Sequence, residues 1–127
     1  INQLKAEGIN AAVVAPRVFR PFPLEDVAEA LQNVKAIACM DRSAPGGTVG
    51  ALYNEVSGAL FNTPARPIMT NLIYGLGGRD MTVAGLKDIF RNLDKEAKAG
   101  KLSGKIQRFI GVRGPELSFY DAQGDVK

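Results

Sequence analysis

The residues best equipped for chemistry fall in three loops. Residues 16–23 carry Arg17 and Arg20. Residues 41–47 carry Asp41, Arg42, Gly46 and Gly47, and residues 75–81 carry Gly75, Gly77, Gly78, Arg79 and Asp80. Four arginines and two aspartates at one edge of a domain would make a charged rim. Such a rim suits an acidic ligand or a charged protein face. The same charges would also serve simply to solvate the rim or to pair with one another, since surface ion pairs are common and individually weak.

The glycines invite comparison with phosphate cradles. A dinucleotide loop needs G-x-G-x-x-G between a strand and a helix, and a P-loop needs G-K followed by Ser or Thr. Gly75 and Gly77 fill the first two positions of the dinucleotide pattern, but Asp80 occupies the third. A carboxylate there repels a pyrophosphate. The P-loop fails as well, because Gly78 is followed by Arg79 and Asp80. Gly46, Gly47 and Thr48 lead directly into a helix and are the slightly better placed anion candidates. For residues 75–80 the stronger reading is structural: glycines allow a sharp turn off a strand, and Thr82 caps the next helix.

Other chemistry is excluded by what the chain lacks. There is no histidine, which removes Ser–His and Cys–His pairs and most zinc sites. The single cysteine, Cys39, lies in the apolar run "AIACM" and reads as a buried small hydrophobe. One thiol cannot ligate an iron–sulfur cluster, so no metal site is expected. The net charge of +3 comes from scattered basic residues, which argues for neither nucleic acid nor membrane. No stretch reaches the ~18 apolar residues of a membrane helix, and no signal peptide is visible. A cytoplasmic, reducing setting fits.

The elements that must position the three loops follow from periodicity. Residues 11–15, 35–40 and 67–74 are short continuous apolar runs, which read as strands of a parallel sheet. Each precedes a loop and then an amphipathic helix. The first helix covers residues 24–33, with Leu24, Val27, Ala28 and Leu31 on one face. The second covers 48–62 with Thr48 as N-cap, and its stripe is Val49, Leu52, Tyr53, Val56 and Leu60. The third covers 82–100, from Thr82 as cap to Gly100 as stop. Repeated strand–loop–helix cycles predict a Rossmann-like, three-layer α/β/α sandwich with a mostly parallel sheet. Residues 1–100 would form this α/β domain. Residues 101–127 would form an extension, with one edge strand in 105–112 and an irregular tail. The chain opens on a helix with no cap before Ile1, as though a longer polypeptide preceded it.

The stretches "RVFRPFP" (17–23), "DRS…GG…G" (41–50) and "GLGGRD" (75–80) resemble, in order and spacing, the pyruvate:ferredoxin oxidoreductase α subunit. They are most similar to its transketolase C-terminal-like domain, over residues 1–93. The resemblance implies a role in a thiamine diphosphate-dependent enzyme. That enzyme converts pyruvate, CoA and oxidised ferredoxin to acetyl-CoA, CO2 and reduced ferredoxin. It further implies that this domain holds no catalytic or cofactor-binding residue and serves packing and assembly. Thiamine diphosphate, magnesium and iron–sulfur clusters would lie elsewhere in the whole enzyme, and the partners would be its other domains or subunits. The family's domain begins with a strand that is absent here. The resemblance therefore implies a vacant strand position, an exposed apolar edge and a helix from the first residues. The alternative from the residues alone is a free-standing Rossmann-like module for a nucleotide or other small ligand.

Overall fold

The computed structural model describes residues 1–112. Its sheet has three parallel strands in the order β1 (Ala36–Asp41), β2 (Ile68–Ile73) and β3 (Gln107–Phe109). Four helices accompany them: α1 (Asn2–Ala6), α2 (Leu24–Leu31), α3 (Ala51–Phe61) and α4 (Val83–Ala99). The strands pair in register from Ala36 with Ile68 to Asp41 with Ile73. Side chains alternate across the pleat, so the two faces take different partners. On one face Ile37, Cys39 and Met69 pack under α2 and α3, through Val27, Leu31, Val56 and Leu60. On the other, Ala38, Thr70 and Leu72 share a cavity of about 50 Å³ with Ile89 and Leu93 of α4. The result is a layer of helix on each side of a parallel sheet, which is the α/β/α arrangement expected. Each core Val or Leu removed from water contributes about 1.5–3 kcal/mol, so the four helix residues of the first face dominate its stability.

Several boundaries follow from local chemistry. The hydroxyl of Thr82 accepts from the Gly85 amide at 3.0 Å, and Gly100 ends α4 in the left-handed conformation. Gly8 does the same just beyond α1, with φ of +76°. α1 itself rests against α4. Leu4 is buried, and Glu7 receives two hydrogen bonds from Arg91, at 2.8 and 2.9 Å.

Three expectations are corrected. Residues 11–15 do not form a strand, and Val13 and Val14 are 68% and 47% exposed. An apolar run signals a tendency to bury, but a strand also needs a ladder partner. Among the described residues nothing pairs with this segment, and β1 borders no strand on its outer side. Among the described residues the β1 edge of the sheet is thus open. Second, the helix expected from Thr48 starts at Ala51, after a short 3-10 turn over Pro45–Gly47. A more distant acceptor, described below, does the capping. Third, Leu24 lies outside the buried stripe of α2, at 44% exposed. The edge strand expected within 105–112 is β3, and the irregular tail falls outside the described residues.

Candidate functional site

The carboxyl ends of β1 and β2 are joined by a buried polar network. Asp41 is the last residue of β1, and its carboxylate reaches the start of α3. Oδ1 accepts from the Leu52 amide at 2.8 Å and Oδ2 from the Tyr53 amide at 3.3 Å. α3 has no side-chain cap of its own, so Asp41 supplies the acceptor for its free first-turn amides. The negative charge also complements the positive end of the helix dipole. Asn71 of β2 completes the network. Its Nδ2 donates to Asp41 Oδ2 at 2.8 Å and to the Cys39 carbonyl at 3.3 Å. Its Oδ1 accepts from the Gly50 amide at 2.8 Å and from Gln107 Nε2 at 3.4 Å. Gln107 also donates to the Thr48 carbonyl, so all three strands and the α3 entrance meet here.

This changes the status of Asp41. It is 8% exposed and turned inward, so it is not part of a ligand-facing rim. Asn71, fully buried, was missed altogether. Its one signal was a lone amide in the apolar run "PIMTNLIY", a position where a buried polar group demands partners. Close by, burial and then the Asp41 charge push the Cys39 thiol up to about 12. That thiol is protonated at neutral pH and is neither a nucleophile nor a ligand.

The remaining rim residues take separate places. Arg17 is exposed and makes no ion pair among the described residues. Arg20 turns toward α3, bonding Glu55 at 2.7 Å and lying 4.4 Å over the Phe19 ring. Arg42 crosses to the other glycine loop, 6.0 Å from the Tyr74 ring centre. Gly75 makes that crossing possible, since a Cβ there would sit 3.0 Å from Arg42 Nε. Gly46, Gly47, Gly75, Gly77 and Gly78 all have φ between +59° and +78°, which fixes both loops as tight turns. Arg79 and Asp80 go elsewhere. Together with Gly75 they line a cleft of about 200 Å³ against the first turn of α4 and against Ile110 and Gly111. Asp80 is exposed, whereas Arg79 is half-buried.

Among the described residues no group of three or more His, Cys, Asp or Glu could hold a metal ion. Nor is any described helix long and apolar enough to cross a membrane. With a single cysteine, the chain does not fit a Cys-ligated cluster. The geometry supports a structural hub with one open cleft beside it.

Comparison with known proteins places this architecture. A family model described as pyruvate:ferredoxin oxidoreductase core domain II matches residues 1–86. The chain belongs to that family. The core domain II chain is 43% identical over 107 residues to the ketoisovalerate oxidoreductase subunit VorA of Pyrococcus horikoshii, across 84% of its own length and 27% of the relative's. It is 34% identical over 113 residues to the pyruvate synthase subunit PorA of Pyrococcus furiosus, across 89% and 28%. PorA of Thermotoga maritima matches at the same identity, across 89% and 28%. The core domain II chain thus spans little more than a quarter of the length of these relatives.

Proposed function

We propose that this chain is the non-catalytic assembly domain of a thiamine diphosphate-dependent 2-oxoacid:ferredoxin oxidoreductase. The observation that carries the reading is the saturated network around Asp41 and Asn71. In open parallel sheets ligands meet the carboxyl ends of the strands. Here both side chains at that place are consumed in holding β1, β2, β3 and α3 together. In this reading residues 1–100 are the domain, and residues 101–127 are an extension that contributes β3. The exposed arginines Arg17 and Arg42 face neighbouring domains or subunits. Thiamine diphosphate, magnesium and the iron–sulfur clusters belong to other parts of a cytoplasmic enzyme, which also meets CoA and ferredoxin.

The reaction of the whole enzyme would be oxidative cleavage of pyruvate to acetyl-CoA and CO2, with electrons passed to ferredoxin. A branched 2-oxo acid is the second reading, because identity to the ketoisovalerate subunits, at 43%, exceeds the 34% to pyruvate synthase subunits. Isothermal titration tests the domain's role. The isolated chain should show no heat of binding with thiamine diphosphate and magnesium. Tight binding by these 127 residues would sink the proposal.

A further inference from the structure

We propose that the cleft between the 75–81 loop and the start of α4 is an oxyanion-binding site anchored by Arg79. The site goes beyond the assembly role and would exist whichever 2-oxo acid the enzyme uses. Three observations meet there. The first is the space itself, about 200 Å³, lined by Gly75, Arg79, Thr82, Gly85 and Gly111 among others. Since a water needs only ~10–15 Å³ by this kind of measure, the cleft has room for a phosphate or carboxylate group.

The second is Arg79. Its Nε is enclosed and has no hydrogen-bond partner. Among the described residues no carboxylate pairs with its guanidinium, whereas Arg20, Arg91 and Arg108 all have one. The side chain lies over Gly111, where a Cβ would come within 3.4 Å of Cδ and 3.6 Å of Nη1. Buried donors in proteins are normally satisfied, and a guanidinium presents its donors in a fork that matches two oxygens of one oxyanion. A guanidinium that lines a cleft with no carboxylate partner among the described residues therefore asks for an acceptor that enters from outside.

The third is the bareness of the opposite wall. Gly85 has no side chain, and a Cβ there would crowd Met81 Sδ and Thr82 Oγ1, each at 3.3 Å. Thr82 already occupies the Gly85 amide. Asp80 is the one opposing charge. It lines the cleft beside Arg79, but it is exposed to solvent. Its repulsion is thus screened by water and salt, and it weakens the site without closing it.

The ligand chemistry is an oxyanion, either a phosphate-bearing small molecule or a carboxylate offered by a neighbouring protein surface. Nuclear magnetic resonance on the 127-residue chain tests it. The chain is titrated with inorganic phosphate, and separately with acetate, at constant ionic strength. Saturable shifts should appear at the Arg79 Nε–H and at the amides of the lining residues Gly85 and Gly111. Arg79→Gln should weaken binding about tenfold, as expected for loss of a charge-assisted bidentate contact. Arg79→Lys, which keeps the charge but loses the fork, should fall between, and Asp80→Asn should tighten binding. Preference for phosphate over acetate would identify a phosphate-bearing ligand, and the reverse a carboxylate. Shifts spread evenly over all arginines, or unchanged in Arg79→Gln, would overturn the proposal, as would no shift at the cleft in the unaltered chain. That last measurement needs no variant to fold.

Discussion

Glu96 shows how one residue can serve the fold while looking like a surface charge. It sits on α4 between lysines, yet it is 3% exposed and bonds Arg108 Nη2 at 2.6 Å. Ser103 donates to the same oxygen through its amide and its hydroxyl. Burial alone would raise its pKa, but the Ser103 hydrogen bonds and then Arg108 outweigh this and hold it below the usual 4.5. A depressed carboxylate stabilises the fold above its unfolded-state pKa, and that contribution fades as pH falls through the lower folded-state value. Urea unfolding of the chain should therefore show a loss of stability below about pH 4.5, and Glu96→Gln should flatten that part of the profile. Glu96→Ala, which strands Arg108 in the interior, should cost about 3–5 kcal/mol at neutral pH. Gly50 is a second such position. A Cβ there would fall 2.2 Å from the Asp41 Cγ, and Asp41 is buried and bonded on several sides. Gly50→Ala should lower the thermal midpoint sharply, with a loss of at least about 2 kcal/mol, because it displaces the carboxylate that caps α3. Neither role was legible beforehand, since both depend on what lies across the fold.

At the scale of elements, legibility tracked the distance over which a signal acts. α4 was read nearly to the residue because its start and stop are local: Thr82 caps it, and Gly100 ends it. α3 was misread at its start because its cap comes from Asp41, eleven residues before Leu52 and on a different element. Thr48 was the plausible local choice, but a charged acceptor fixed at the end of a strand is the stronger one. The dependence can be measured. Asp41→Ala removes the acceptor of two α3 amides and leaves Asn71 Nδ2 with only its longer bond to Cys39. It should destabilise the chain by about 2–4 kcal/mol in chemical denaturation. The effect should be matched by no single substitution at Thr48. The apolar run at 11–15 failed for the opposite reason. Its composition carries no information about whether a partner strand stands beside it, and Val13 and Val14 are exposed.

For the whole molecule, the parallel α/β/α arrangement was readable because repeated apolar runs and amphipathic helices leave few other ways to bury both faces. The family was readable too, from loop stretches whose glycines are required by positive φ at five positions. The division of labour at the rim was not readable. Six charged candidates look alike in the sequence, and the fold gives them five fates: a buried cap, a pairing with α3, a contact with the Tyr74 ring, a place in the cleft and, for Arg17, exposure without an ion pair among the described residues.

The clasp between α1 and α4 has a consequence in time. Glu7 and Arg91 are 84 residues apart in sequence, and Lys87 approaches the same carboxylate at 3.6 Å. Closing a loop of that length before any other contact forms would forfeit much chain freedom for a solvent-exposed ion pair. The sheet and its nearer helices must therefore assemble first, and the opening turn docks onto a surface that already exists. By the same ordering it is the first piece to let go, so the Glu7–Arg91 clasp opens before the sheet does.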